Sequence, residues 1–132
     1  MTKSAQEFIT PLTMQALSGE KVHTDLLSTE AEAAMGHIEL AKWCDLIVIA
    51  PCSANSLSKI AEGRGDDLLS AVCLATESEI FIAPAMNQAM WKDKRTQKNL
   101  SKSINAGLNI IGPGSGEQAC GDVGDGRMTE PA

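Results

Sequence analysis

Three residues of this 132-residue sequence have side chains that could take part in chemistry. Cys120 lies in a glycine-rich segment, where a thiol is more accessible than one on an apolar helix face. Asn87 interrupts the apolar segment Pro84-Ala-Met-Asn-Gln-Ala-Met-Trp91, so we expect its amide to face a crevice. His37 could exchange a proton near neutral pH, although a lone histidine near a helix start is more often a surface or capping residue.

A second group of candidates has small hydroxyl or amide side chains. It lies in Pro51-Cys-Ser-Ala-Asn-Ser56, directly after an apolar run. Such residues let a planar ligand approach the backbone, and they can pair with the edge of a heteroaromatic ring or with a carboxylate. Ser53 or Asn55 could equally be the N-cap of a following helix, and spacing alone favours the cap.

Three short apolar runs, each ending at a proline, must position these candidates. They span residues 45–51, 79–84 and 108–113, and runs of this kind predict strands buried on both faces of a parallel sheet. Residues 37–44, 53–62, 66–76 and 93–106 have the character of helices. The alternation predicts an open α/β fold whose ligands bind beyond the carboxyl ends of the strands.

The two ends of the sequence are less regular. Residues 4–18 are predicted to be helical with an interruption near Pro11, and residues 112–132 are predicted to form an irregular glycine-rich loop. No strand precedes the first helix, whereas a doubly wound sheet normally opens with a strand and a phosphate-binding turn. Either the sheet is small, or an N-terminal piece is absent.

Composition excludes several classes of function. The net charge of −6 argues against nucleic-acid binding driven by bulk charge, and no apolar run is long enough to span a bilayer. The four cysteines lack the spacing of a zinc site and follow no secretory signal, so we expect thiols in the cytoplasm. Aromatic residues make up only 3%, which suggests that contacts within an oligomer support the core.

Four segments resemble motifs of the homo-oligomeric flavin-containing cysteine decarboxylases. Residues 51–56 resemble the family's P-A-S-A-N-T motif, residues 84–91 match P-x-M-N-x-x-M-W, and residues 36–43 resemble the segment with the catalytic histidine. Residues 119–128 resemble the substrate-clamp loop of the phosphopantothenoylcysteine decarboxylase branch. The four motifs occur in the family's order over nearly the whole chain, which makes the signal specific.

The resemblance implies a Rossmann-type, flavodoxin-like three-layer sandwich with a parallel sheet. It implies one domain over residues 1–132 that is partial at its N-terminus, since the family's first βαβ unit would be missing. It implies bound FMN and a homotrimer that can assemble into a dodecamer. The implied activity is that of a carbon–carbon lyase of coenzyme A biosynthesis, which converts 4′-phospho-N-pantothenoylcysteine to 4′-phosphopantetheine and CO2. A phosphopantothenate–cysteine ligase is implied as a further domain or a partner.

The resemblance also implies roles by position. His37 would be the proton acceptor, Cys120 the proton donor in the final reduction, and Asn87 the residue that holds the substrate carboxylate. Lys42 and Met90 would contact the substrate, although a methionine here is more often a core residue. The implied FMN contacts are Thr2, Ser4, Phe8, Ser53, Ala54, Asn55, Ser56 and Ala85.

Two alternatives stay open at this point. The missing first βαβ unit would suit a non-catalytic member that acts only through oligomer or partner contacts. A related peptidyl-cysteine or aromatic-acid decarboxylase is the other alternative, and the clamp-like segment 119–128 argues against it. Small departures from the family motifs occur at Cys52, Ser56, Arg64 and Gly65.

Overall fold

A computed structural model describes residues 1–27 and 36–131. A short 3₁₀ turn at Ala5–Glu7 precedes six α-helices and five strands in the described residues. The helices are α1 (Pro11–Ser18), α2 (His37–Trp43), α3 (Ala54–Ala61), α4 (Leu68–Ala75), α5 (Gln88–Lys92) and α6 (Lys94–Asn105). The strands are β1 (Leu46–Cys52), β2 (Glu79–Pro84), β3 (Asn109–Ile110), β4 (Gly114–Glu117) and β5 (Val123–Arg127).

The first three strands form a parallel sheet in the order β1-β2-β3. Ile49 lies opposite Ile82, and Ile82 lies opposite Ile110, so the strands end at one edge. The amide of Ala85 donates to the Cys52 carbonyl at 3.0 Å, which joins the loops that leave β1 and β2. The prediction of an α/β fold with a parallel sheet is confirmed, although β3 is shorter than the apolar run that predicted it.

The core lies on one face of this sheet. Ile49, Ile82 and Leu57 of α3 are buried there, and Leu100 of α6 packs against them. Alternate residues of β1 point the other way, where Val48 is 54% exposed. The prediction that β1 is buried on both faces is therefore wrong within the described residues, because the packed helices cover one face only.

The helices α3 and α4 each begin with a side-chain cap, and the cap of α3 lies directly beyond the end of β1. The Ser53 Oγ accepts from the Ser56 amide at 3.2 Å, and Asp67 caps α4 by accepting from the Ser70 amide at 2.8 Å. Side-chain oxygens of this kind satisfy amides that have no partner inside the helix. No helix of the described residues has the length and apolar character needed to cross a bilayer.

The prediction of an irregular loop over residues 112–132 is wrong, because β4 and β5 pair as an antiparallel hairpin. Its sequence has low β-propensity, so docking on the strand-end loop fixes the pairing. Gly126 has φ +126°, and a Cβ there would collide with the Met86 carbonyl oxygen. A Cβ on Gly124 would collide with the Gln88 side chain. The glycines thus permit a close approach that a sequence pattern does not reveal.

Candidate functional site

A cavity of about 740 Å³ lies beyond the end of β2, between the strand-end loop and the hairpin. Its lining residues come from these two segments: Ala85, Met86, Asn87, Glu117, Gln118, Ala119, Cys120, Gly126, Arg127 and Met128. Arg127 is paired with Glu130 at 2.6 Å. Three sequence-predicted site residues, Ala85, Asn87 and Cys120, therefore share one cavity.

The carboxamide of Asn87 is held in one orientation. Its Oδ1 accepts from the Ala89 amide at 2.8 Å as the N-cap of α5. The opposite end, Nδ2, consequently faces the hairpin, where it donates to Asp122 Oδ2 at 2.9 Å and to Cys120 Sγ at 3.4 Å. An amide donor fixed in this way is suited to bind a carboxylate next to the thiol.

Cys120 is the exposed member of the four cysteines, none of which is in a disulfide. Burial, and then the neighbouring Cys73, raises the pKa of the buried Cys52 thiol to about 12. The pKa of Cys73 is raised to about 11, first by burial and then by the charges of Asp67 and Cys44. Because the thiolate is the reactive form, the raised pKa values disfavour reaction at Cys52 and Cys73, whereas Cys120 is the exposed thiol.

A second cavity, of about 560 Å³, collects most of the residues expected to bind a cofactor. Thr2, Ser4, Ser53, Asn55 and Ser56 all line it. They come from the N-terminal segment and from the start of α3, just beyond the end of β1. This volume falls in the range of small-molecule sites, about 300–1,000 Å³.

The wall of the second cavity also holds a charged cluster that the sequence analysis missed. Lys59 Nζ lies 2.8 Å from Asp67 Oδ2 and 3.3 Å from Asp66 Oδ1. Burial acts to raise the pKa of Asp67, but hydrogen bonds from Lys59 and Ser70 outweigh it, so the net shift is downward. The hydrogen bond to Asp67 in turn raises the pKa of Lys59. Lys59 and Asp67 belong to different helices, so no local spacing pattern in the sequence pairs them.

Three residues assigned to the reaction by resemblance lie apart from Asn87 and Cys120. His37 is the first residue of α2, half-buried, and lines neither of the two cavities. Lys42 is exposed in the last turn of the same helix, and Met90 is 49% exposed on α5 without lining either cavity. Within one chain, the structure does not bring these residues to the thiol.

Three residues assigned to the cofactor also lie outside the second cavity. Phe8 is 91% exposed and does not line it. Ala54 is half-buried as the first residue of α3, and Ala85 lines the first cavity beside Asn87 instead. Ala85 joins the two regions, since its amide is bonded to the carbonyl of Cys52, the residue before Ser53.

The hairpin places two polar residues against the Asn87 side chain for which the sequence analysis assigned no role. Asp122 accepts from the Asn87 amide, and Gln118 bonds to the strand-end loop. Asp122 falls inside the clamp-like segment 119–128, so this motif could have identified it as a candidate. Gln118 precedes that segment, and nothing in its spacing distinguished it from a solvated residue.

Comparison with known sequences gives consistent matches. The Flavoprotein family model matches residues 1–132. The chain is 56% identical over 131 residues to the coenzyme A biosynthesis bifunctional protein CoaBC of Vibrio parahaemolyticus, and 52% identical to that of Escherichia coli. The matches cover 99% of this chain but 33% and 32% of those proteins. The chain thus spans about a third of the length of these relatives.

Solved structures agree with the sequence matches. A cysteine-to-serine mutant of PPC decarboxylase complexed with pantothenoylaminoethenethiol matches with a TM-score of 0.79 and 37% identity, covering 98% of this chain and 74% of that one. The FMN binding protein AtHal3 matches with a TM-score of 0.83 and 38% identity, covering 98% and 72%. These matches confirm the flavodoxin-like α/β fold expected from the sequence.

Proposed function

The chain belongs to the Flavoprotein family, and from this premise we propose that it is an FMN-dependent lyase. The proposed reaction is the decarboxylation of 4′-phospho-N-pantothenoylcysteine to 4′-phosphopantetheine in coenzyme A biosynthesis. The observation that carries the proposal is the placement of the Asn87 amide 3.4 Å from the Cys120 thiol in a cavity at the strand ends. The names of the relatives, a coenzyme A biosynthesis protein and a PPC decarboxylase, support this choice of substrate.

The second cavity fits FMN in the chemistry of its donors. Hydroxyls of Ser53, Ser56 and Thr2 and the amide of Asn55 offer hydrogen bonds to the polar edge of a flavin ring. The small size of these side chains leaves room for a planar ring. When bound, FMN supplies the two-electron oxidation of the substrate and returns the electrons after CO2 has left.

Asn87 and Cys120 would each have a separate role in the reaction. The Asn87 Nδ2 would donate to the substrate carboxylate and orient it, since its Oδ1 is already committed to capping α5. The Cys120 thiol would give up a proton to the product after decarboxylation. Both groups line the same cavity, so one bound substrate can contact both.

We also propose that the protein is a homo-oligomer, a trimer or a dodecamer. His37 would act as proton acceptor, yet it lines neither cavity of its own chain. An oligomer in which His37 of one copy faces Cys120 of another would complete the site. The helix of His37 carries Trp43, which is 66% exposed and offers apolar surface for such a contact.

The proposal also includes a second enzyme and a cellular compartment. A phosphopantothenate–cysteine ligase, as a further domain or a partner, would supply the substrate, as the bifunctional names of the relatives suggest. The free cysteines are in keeping with the reducing conditions of the cytoplasm.

The test begins with FMN added to the purified protein, followed by desalting, an absorbance spectrum and incubation with 4′-phospho-N-pantothenoylcysteine. We expect a retained flavin band and release of 4′-phosphopantetheine, with His37→Asn keeping the flavin and losing turnover. A colourless protein would support the non-catalytic alternative instead. Turnover of a peptide ending in cysteine, but not of the pantothenoyl substrate, would redirect the proposal to peptide substrates.

Oligomerisation has its own test. Light scattering after gel filtration gives the assembly size. His37→Asn and Cys120→Ser variants, each inactive alone, should recover partial activity when co-expressed, because a mixed oligomer contains some intact sites. No recovery in a stable mixed oligomer would show that His37 does not act on another copy.

A further inference from the structure

The side chain of Gln118 uses both ends of its amide to join three segments. Its Oε1 accepts from the Gln88 backbone amide at 3.1 Å and from Asn87 Nδ2 at 3.4 Å. Its Nε2 donates to the Asp125 carbonyl at 3.2 Å and to the Met86 carbonyl at 3.4 Å. Gln118 therefore connects the strand-end loop, the start of α5 and the strand β5.

The backbone of Gln118 closes the turn that carries Cys120. Its amide donates to the Asp122 carbonyl at 2.8 Å, and its carbonyl accepts from the Gly121 amide at 2.9 Å. Cys120 lies between these partners, and among the residues that the structure describes, the bond from Asn87 is the one hydrogen bond that ties it to the strand-end loop. The position of the thiol is consequently coupled to the position of Gln118.

The hairpin has further contacts that do not depend on Gln118. The Met86 amide donates to the Gly126 carbonyl at 2.9 Å, and β5 packs against α5 with glycines at the closest points. Loss of the Gln118 side chain would therefore leave the hairpin docked and the backbone bonds of its turn in place, while removing the side-chain anchor that ties this turn to the strand-end loop. The position of the Cys120 thiol can therefore change while the stability of the fold stays nearly the same.

We propose that Gln118 is a positioning residue that sets the Cys120 thiol against the Asn87 amide and thereby controls the last step of the reaction. The inference rests on the proposed function. In that step the unsaturated thiol left after CO2 release gains two electrons and a hydrogen as a hydride equivalent from the reduced cofactor. It also gains a proton from Cys120, which is left as a thiolate, and the product is the saturated thiol.

The test compares Gln118→Leu with a matched control, Gln97→Leu. Gln97 donates to the Trp91 carbonyl at 2.6 Å, so the control also removes a side-chain bond to the backbone near α5, but away from the cavity. Both variants are loaded with FMN and given substrate, and the unsaturated and saturated thiol products are separated by mass. A displacement of about 1 Å at a reacting group can cost about a hundredfold in rate.

We expect Gln118→Leu to raise the ratio of unsaturated to saturated product on the order of tenfold, while FMN retention and CO2 release change little. The control should leave the ratio unchanged. Gln118→Glu keeps an acceptor for Gln88 and loses the amide donors, so it should give an intermediate ratio. A lower rate with an unchanged ratio in Gln118→Leu would overturn the proposal, because a general loss of stability lowers both products together.

A measurement without substrate keeps the two proposals separate. Amide hydrogen exchange of the cofactor-free chain should be about tenfold faster over residues 118–122 in Gln118→Leu than in the parent or the control. If the parent forms no product but this difference appears, the proposed function fails and the positioning of the turn stands. Equal exchange in all three proteins would overturn the positioning role itself.

Discussion

The amide nitrogen of Asn87 lies 3.4 Å from the sulfur of Cys120, although the two residues are 33 positions apart in the chain. One stands at the end of a parallel strand and the other at the tip of a glycine-rich hairpin. The cap of α5 turns the amide toward the thiol, and the glycines of β5 let the hairpin come close enough. The candidate site is thus formed by two local features, the side-chain cap of α5 and the close approach of β5 to the strand-end loop.

Replacing Asn87 with serine separates its role as the N-cap of α5 from its proposed role as a donor to the substrate carboxylate. Serine is also a good N-cap, so α5 should persist and the free energy of unfolding should change by less than about 1 kcal/mol. The donor toward the carboxylate is lost, and we expect kcat/KM for the substrate to fall by about a hundredfold. Steady-state kinetics beside thermal unfolding measure both effects. Activity within twofold of the parent would remove Asn87 from the mechanism.

Asp122 occupies the amide that the substrate carboxylate is proposed to use. The Asp122 carboxylate accepts from Asn87 Nδ2 at 2.9 Å, so it competes with the substrate carboxylate for this donor. Asp122→Asn removes the charged competitor, because a charged acceptor bonds more strongly than a neutral one. We expect KM to fall severalfold, with kcat changed less. Asp125→Asn, also exposed on the hairpin, is the control, and a KM that rises in Asp122→Asn alone would contradict this account.

Acid should destabilise the protein partly through Asp67. Hydrogen bonds from Lys59 and Ser70 outweigh burial and lower the pKa of Asp67 in the folded state. A lowered pKa stabilises the fold above the unfolded pKa, about 3.9, and this contribution disappears as the pH falls through the folded value. Urea unfolding at neutral pH and at about pH 3 should show a smaller loss for Asp67→Asn, which keeps the cap, than for the parent.

An exposed aspartate provides the comparison for that experiment. Asp45 precedes β1 and is exposed, so Asp45→Asn should lose as much stability in acid as the parent does. Identical acid losses for the parent and Asp67→Asn would show that the Lys59 pair contributes nothing to the pH dependence.

The thiols should differ sharply in reactivity. With burial raising the pKa of Cys52 to about 12 and that of Cys73 to about 11, almost no thiolate forms there near neutral pH. Brief treatment with iodoacetamide at about pH 8 should therefore label Cys120 before either of them. Peptide mass mapping identifies the labelled position, and all four cysteines should react in urea. Early labelling of Cys52 would show that the core opens readily.

Sequence reasoning identified the parts of the fold that local chemistry determines. The run ending at Pro84 is a strand with the expected bounds, and Ser53 caps α3 as its spacing favoured. Motif positions also brought Asn87 and Cys120 forward as candidates, and the structure places them in one cavity. These features depend on a few neighbouring residues, so they could be predicted from the sequence.

The hairpin and its contacts could not be predicted in the same way. Gly124 and Gly126 disfavour a strand locally, yet the hairpin docks because Gly126 lets its backbone lie against the Met86 carbonyl, where a side chain would collide. The position of the Gln118 side chain is determined by contacts with residues about thirty positions away in the chain, and no local sequence pattern encodes such contacts. The exposed face of β1 was likewise determined by which helices pack on it, not by its own apolar run.

The most direct measurement is the identity of the product formed by the FMN-loaded parent protein and by Cys120→Ser. Both are given 4′-phospho-N-pantothenoylcysteine, and CO2 and the thiol products are measured together. We predict that the parent releases CO2 with the saturated thiol, and that Cys120→Ser releases CO2 but stops at the unsaturated thiol. Saturated product from Cys120→Ser at the parent's rate would contradict the role of the thiol, and no CO2 from the FMN-loaded parent would contradict the decarboxylase itself.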